Sequence, residues 1–410
     1  MKKGFSIQNW AAPLILLAFT GQTVNYFNVF FNSTTRWLVL LFVLLIVISD
    51  RFVSPMLRMY PLRLSLVYAL WAMFTYFWSE SPLLSIMKGM ALFLVIYGAS
   101  GIGFIWARKS TLKSALNAML PMVFMVLCSG VLGLNTIEKN NAENGLIMYQ
   151  GLTNNANMYG SLCAMSLPFS LWKYENMVKS KQRLFWACVC IYFAVNAFVS
   201  NSRAAMIVMV FTFIGLNIGK SISQKIVLLR IAIFVSLLIG MFLSQSIVKS
   251  FNTIITKGST NQSITASREI IWEESYDQAV KGGFFGGGCG VTIGSDTVFE
   301  GGAASSSYGR EKGNTQLAII EETGLIGLGL YLLSTFMIIV AVSKRWQTSR
   351  NVDENKLQGL MIGLLIGLFI NSIFEAWYVA PAAPESIYYW FVVGLSLGLI
   401  KKKFPTGNYQ

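Results

Sequence analysis

The sequence predicts an all-α integral membrane protein of about 12 transmembrane helices, interrupted by one large extracytoplasmic loop. Three observations carry this. Of the 410 residues, 54% are hydrophobic and only 12% charged, where a soluble domain carries about 25% charged residues. The apolar residues gather into runs matched to a hydrocarbon core of about 30 Å, which takes roughly 20 residues of helix per crossing. The Lys and Arg residues also fall into alternate connections between those runs, which is the pattern of cytoplasmic loops.

In chain order the runs centre on residues 10–29, 36–49, 62–78, 83–106, 114–134, 158–172, 184–200, 203–219 and 226–246, then 315–343, 357–376 and 386–400. The chain thus divides into transmembrane helices over 1–246, a loop over 247–314, and further helices with a tail over 315–410. With the N-terminus inside, the basic residues of the inner connections number 21 of the 32 Lys and Arg, from Lys2 and Lys3 to Lys401, Lys402 and Lys403. The opposite orientation would translocate most of them, so both termini are expected in the cytoplasm and the loop outside.

The net charge of +14 is on this reading a topology signal, with attraction to anionic lipid of the bilayer as a secondary meaning. Nucleic acid is not needed as a partner. Lys2 and Lys3 before an apolar run could open a signal peptide, but residues Gly21 to Phe27 give no small-x-small cleavage site, so the first helix is expected to stay. Histidine is absent, which removes imidazole as metal ligand or base. Cys128, Cys163, Cys188 and Cys190 lie in apolar runs and only Cys289 in the loop, so neither a disulfide framework nor a metal site is implied, and no cofactor is called for.

Candidate functional residues gather at the outer ends of the runs. Lys88, one to two turns into its run, either snorkels or meets a lipid-borne phosphate. The stretch from Asn135 to Asn157 is rich in amides. One of Thr153, Asn154 and Asn155 is expected to cap the next helix, while Asn154 and Asn157 also suit sugar hydroxyls. Farther on, the hairpin from Ser200 to Ala205 is so tight that Arg203 must sit at the membrane surface. A dedicated anion site there is favoured over snorkelling.

Within the loop, Thr265 or Ser267 starts a helix that ends near Gly282. Helical spacing places Arg268, Trp272, Tyr276 and Ala279 on one stripe, with Glu269, Glu273 and Asp277 on its neighbour. Arg268 falls in the first turn, where unpaired backbone N–H groups and the helix dipole already favour an anion. The acidic stripe is either a solvated face or the source of a general base. Gly282 to Gly290 lacks the Gly-Lys-Ser/Thr ending of a nucleotide phosphate loop. It is expected to turn tightly and bring backbone close to a substrate, at Gly286 and Gly288 above all. Glu321 and Glu322 lie about two turns into the following helix, unusually deep for carboxylates unless they pair with a cation or face water. Together with Arg36, Glu375 and Glu385 these residues favour a single outward-facing polar crevice.

Four segments, in this order, resemble the O-antigen ligase and polymerase superfamily of bacterial membrane glycosyltransferases. They are Gly151 to Asn157 entering a helix, Ser202 with Arg203, Arg268 and Trp272 followed by Gly286 to Gly288, and Glu322 to Gly327 (Glu-Thr-Gly-Leu-Ile-Gly). The resemblance runs from Trp78 to the end of the helix that holds Glu321. It implies a fold similar to the membrane glycosyltransferases that use polyprenol-linked sugars (GT-C-like), in the cytoplasmic membrane, and a transfer without metal or nucleotide. The donor it implies is a glycan on undecaprenyl diphosphate, and the acceptor is the next lipid-linked repeat unit for a polymerase or a lipid A core sugar for a ligase. A chain-length regulator is a partner that the resemblance leaves open. Ligases of the family usually carry a His-Asn pair where this chain has Gly313 and Asn314, a departure that favours the polymerase.

On this reading Arg203 and Arg268 hold the diphosphate, because guanidinium stays ionised and meets phosphate oxygens as a planar fork. Arg310 and Lys88 are further phosphate contacts. Glu321 is the first candidate for the base that activates the attacking hydroxyl and Glu273 the second. A flippase or exporter of the same lipid-linked glycan is the alternative of another class. Internal repeats and charges near the bilayer midplane, which transporters tend to show, are not evident in the sequence.

Overall fold

The computed structural model of the protein describes residues 8–134, 137–138, 148–221, 266–293, 312–348 and 351–402. The helix expected over 226–246, the termini of the chain, the remaining parts of the loop and Arg310 lie outside the described residues.

Among the described residues the chain is helical throughout, apart from a short antiparallel pair, β1 (Ile137–Glu138) and β2 (Met148–Tyr149). In order the helices are α1 (Gln8–Gly21), α2 (Ser33–Ser49), α3 (Val53–Leu57), α4 (Tyr60–Phe74), α5 (Pro82–Lys109), α6 (Leu120–Leu132), α7 (Ala156–Asn176), α8 (Ser180–Val199) and α9 (Arg203–Ser221). They continue with α10 (Ala266–Gly282), α11 (Thr315–Thr348), α12 (Val352–Asn371) and α13 (Pro384–Lys401). Among the described residues four stretches are long and apolar enough to cross a membrane: Pro82–Lys109, Ser180–Val199, Arg203–Lys220 and Thr315–Lys344. The protein therefore has the make-up of a multi-pass membrane protein, with shorter apolar helices at Trp10–Gly21, Ser33–Ser49 and Asn117–Leu132.

Local chemistry sets many of the boundaries. Pro61, Pro82, Pro121 and Pro384 stand in the opening turns of α4, α5, α6 and α13, where a missing N–H forfeits no helical bond. Asn32, Asn155 and Asn351 cap α2, α7 and α12 by accepting backbone N–H groups. Of the three residues that could have capped α7, Asn155 does so, on Met158 N–H at 2.7 Å. The apolar run over 62–78 is not one helix: α4 stops at Phe74 and a 3₁₀ turn follows over Thr75–Phe77.

Two helix pairs meet backbone to backbone. On α9, Gly215 and Gly219 face Gly359 and Gly363 of α12, while Gly367 of α12 lies against Val208 and Phe211. A Cβ on Gly215 would strike Gly359 O, and one on Gly363 would strike Phe211 O. In the second pair a Cβ on Gly103 of α5 would strike Phe391 O of α13, and one on Gly394 would strike Ser100 O. Small residues four apart let apolar helices come this close, so that dispersion contacts replace a hydrophobic drive that lipid does not supply.

The helix ends sort into two sets. At one end Lys109 pairs with Asp50 at 2.5 Å, Lys220 with Glu175 at 2.5 Å, and Arg108 bonds the Lys401 carbonyl. At the other, Asn25 N–H donates to Leu152 O at 2.7 Å, Thr315 N–H to Ser372 O at 2.9 Å, and α10 packs on α11. The first set is basic, and the candidate residues lie at the second.

Candidate functional site

The site is organised around a break in α11. Gly324 has φ 72° and ψ −175°, a conformation essentially reserved for glycine, and it splits α11 into two halves across a kink. Such a break strands carbonyls on the first half and N–H groups on the second, which an apolar setting tolerates only when other groups take them up. The glycine loop after α10 takes them up. Gly287 N–H donates to Glu321 O at 2.8 Å and Gly288 N–H to Glu322 O at 3.1 Å, while Leu325 N–H donates to Gly283 O at 3.0 Å and Ile326 N–H to Phe284 O at 3.3 Å. The Trp71 indole completes the set by donating to Thr323 O at 2.8 Å.

This fit depends on bare backbone. Gly283, Gly286, Gly288 and Gly290 all have positive φ, and a Cβ on Gly286 would strike the Glu322–Thr323 peptide. These glycines bring their backbone close to α11. Gly286 O further accepts from the Trp78 indole at 3.0 Å, and Gly288 packs on Ser79 and Ser85.

Buried charge lies directly beneath. Glu321 and Glu322 are 0% and 1% exposed, and the cation that their depth called for is Lys312. Its ammonium lies 2.8 Å from Glu322 Oε1 and 3.4 Å from Glu321 Oε2, and it donates to Val291 O at 3.0 Å. Lys88 Nζ approaches Glu322 Oε1 at 3.5 Å, and Gly290 N–H donates to Glu322 Oε2 at 2.7 Å. Buried charges persist only when paired and hydrogen-bonded in this way. Cys289, with its N–H donating to Thr75 Oγ1 at 2.9 Å, is enclosed with them. Burial, and then the Glu322 charge, pushes its thiol up to about 12.

Helix α10 begins at Ala266 and ends at Gly282, as the capping residues and the glycines imply. Its buried stripe is Ser275 and Ala279, with Trp272 partly covered, whereas Tyr276 is exposed beside Glu273, Glu274 and Asp277. The packed face is thus rotated from the one read by periodicity, because Ser275 packs inward and a tyrosine is left out. The Trp272 indole donates to Gly313 O at 3.2 Å and its ring lies 5.8 Å from Phe374, which ties α10 to both α11 and the turn after α12. Asn314 caps α11 by accepting Leu317 N–H at 2.9 Å. Arg268 stands in the first turn of α10.

The other expected residues lie at the same end. Asn154 is exposed and Asn157 half-buried at the start of α7, and Arg203 opens α9 behind Ser200, Asn201 and Ser202, all buried. Asn201 adopts φ 58° to make that turn. Lys312 is the residue that sequence reasoning passed over, since only the fold brings it onto Glu321 and Glu322. No protein-family model and no curated protein matches the chain.

Proposed function

We propose that this protein polymerises lipid-linked oligosaccharide repeat units at the outer face of the bacterial cytoplasmic membrane. It would transfer a glycan from undecaprenyl diphosphate to the next lipid-linked unit, in a GT-C-like chain crossing the bilayer about twelve times with both termini inside. The observation that carries the reading is the fastening of α10, with Arg268 in its first turn, to the broken helix α11 at the end of the bundle opposite the basic one. A polar, arginine-bearing helix held rigidly at one end of an apolar bundle suits a phosphate-bearing lipid whose chain stays among the helices.

In the transfer, an acceptor hydroxyl attacks the anomeric carbon of the donor, the bond from that carbon to the diphosphate oxygen breaks, and the electron pair leaves on the diphosphate. Arg203 and Arg268 would stabilise that growing charge, with Lys88 and Arg310 as further contacts. The hydroxyl proton passes to a carboxylate, to water or to the departing diphosphate. Glu273, exposed on α10, suits the base better than Glu321, whose carboxylate Lys312 already engages.

Purified protein supplied with a synthetic undecaprenyl-diphosphate oligosaccharide tests this. A ladder of lengthened glycans that depends on Arg203 and Arg268 supports polymerisation. Transfer only on addition of lipid A core would point to a ligase, and no transfer at all to a transporter of the same lipid.

A further inference from the structure

The glycine loop carries two phenylalanines at its tip, Phe284 and Phe285, and the fold leaves both exposed, although tight turns favour small and polar residues. Phe285 lies 5.9 Å from the Trp78 ring and 6.3 Å from that of Trp71. Trp71, Phe74, Phe77 and Trp78 continue the cluster through ring contacts of 5.0 to 6.0 Å. Phe77 and Phe284 are 72% and 68% exposed, so among the described residues the cluster ends in an open apolar patch. A patch of this kind marks a surface for a partner or a membrane.

Two observations identify what covers it. The first is continuity. Val67, Leu70 and Phe74 expose one stripe of α4, and Leu325, Leu332 and Phe336 expose one stripe of α11. These two helices pack together, and α11 contains a stretch able to cross a membrane. Both stripes lead to the cluster: Phe74 belongs to it, while Leu325 N–H and Ile326 N–H donate to Gly283 O and Phe284 O. The second observation is polarity. The indole N–H groups of Trp71 and Trp78 are spent on Thr323 O and Gly286 O, so neither ring has a donor left for an outside partner. A sugar stacked on these rings would need such donors, whereas hydrocarbon needs none. Aromatic rings at the end of a membrane-spanning bundle suit the boundary between hydrocarbon and headgroups.

Helix α10 fits the same surface. Its exposed apolar residues Tyr276 and Val280 stand one turn apart, and the same step leads to Phe284, while Glu273, Glu274 and Asp277 fill neighbouring exposed positions and outnumber Lys281. Those carboxylates oppose an anionic surface, so the fitting partner is a zwitterionic lipid boundary.

We infer that the glycine loop is an interfacial wedge: Phe284 and Phe285 seat in the headgroup boundary of a bilayer beside Phe74 and Phe77, with α10 lying along the surface. Because Gly283 O and Phe284 O accept the N–H groups freed by the break in α11, seating the tip also holds that break at the depth of the boundary. The inference needs the membrane-spanning helices and not the proposed glycan transfer.

The test reconstitutes the full chain in phosphatidylcholine vesicles, with p-benzoylphenylalanine in place of Phe284, Phe77 or Glu274, and reads lipid adducts by mass spectrometry after irradiation. Adducts are expected at positions 284 and 77 and not at 274. A second measurement leaves the sequence unaltered: phosphatidylcholine carrying a diazirine beside its glycerol backbone should label the peptide that holds Phe284 and Phe285. Adding phosphatidylglycerol should raise neither yield. Lipid at 77 without lipid at 284 would mean that the loop tip stays in water, and cross-links from 284 to a second copy of the chain would make the patch a protein interface. Either outcome, an unlabelled loop peptide in the unaltered protein, or a yield that needs phosphatidylglycerol overturns the inference.

Discussion

Lys312 Nζ lies 2.8 Å from Glu322 Oε1 and 3.4 Å from Glu321 Oε2, so one ammonium just ahead of α11 bridges both carboxylates of the turn before the break. Because Glu322 also accepts from Gly290 N–H, the same contact fastens the glycine loop. The loop, the break and the ion cluster therefore form one unit, and disturbing any member should be felt by the others.

Replacing Lys312 by Met leaves two buried carboxylates without their nearest cation. Breaking one side of a buried pair costs about 3–5 kcal/mol. Lys88→Met should cost clearly less, its contact being longer and its side chain 15% exposed. Thermal unfolding followed by tryptophan fluorescence in detergent checks the order; a Lys312→Met protein as stable as the parent would remove the cluster as an anchor.

Gly324→Ala combines backbone strain of about 1–3 kcal/mol with a collision against Phe284 O. The same unfolding measurement should register at least that loss. Unchanged stability would mean that α11 runs on without the break.

Cys289 is held protonated. The thiolate is the nucleophile, and with the thiol up to about 12 only about one part in ten thousand is thiolate at pH 8. Maleimide should leave Cys289 unlabelled there, with reactivity rising about tenfold per pH unit toward that value. Glu322→Gln removes a charge that raises the thiol and loosens the Gly290 contact, so labelling should accelerate. Mass spectrometry of the labelled peptide reads this directly.

Much of this was legible in the residues. The runs at 83–106 and 315–343 stand out by hydropathy, and Pro82 and Asn314 mark where their helices begin. Asn155 and Gly282 bound α7 and α10 for equally local reasons. What stayed hidden depends on contacts distant in sequence. Gly324 looks like an ordinary glycine in an apolar run until the loop at Gly283 to Gly288 supplies hydrogen-bond partners for a break. Ser275 reads as polar, yet it is buried in the fold, and this rotates α10 away from the stripe that ran through Tyr276. Lys312 reads as a loop lysine because its carboxylates lie across a turn of chain. The glycines of α9 and α12 show the four-residue spacing plainly, but nothing in either helix names the other as its partner.

That pairing is itself testable. Gly363→Leu on α12 forces a side chain into Phe211 O and the Gly215 backbone, and overpacking of this kind costs about 1–3 kcal/mol or more. Gly329→Leu on α11, where a Cβ meets nothing within 4 Å, should be tolerated. Yield of folded protein by size-exclusion chromatography separates the two variants, and equal yields would contradict the packing.

The most direct test of the account is glycan extension by purified protein on a synthetic undecaprenyl-diphosphate oligosaccharide, compared with Arg268→Ala and Arg203→Ala proteins that unfold at the parent temperature. The account predicts a ladder of products from the parent and a loss of about 10²- to 10³-fold in rate for each variant. A ladder of unchanged rate and length from both variants would contradict it.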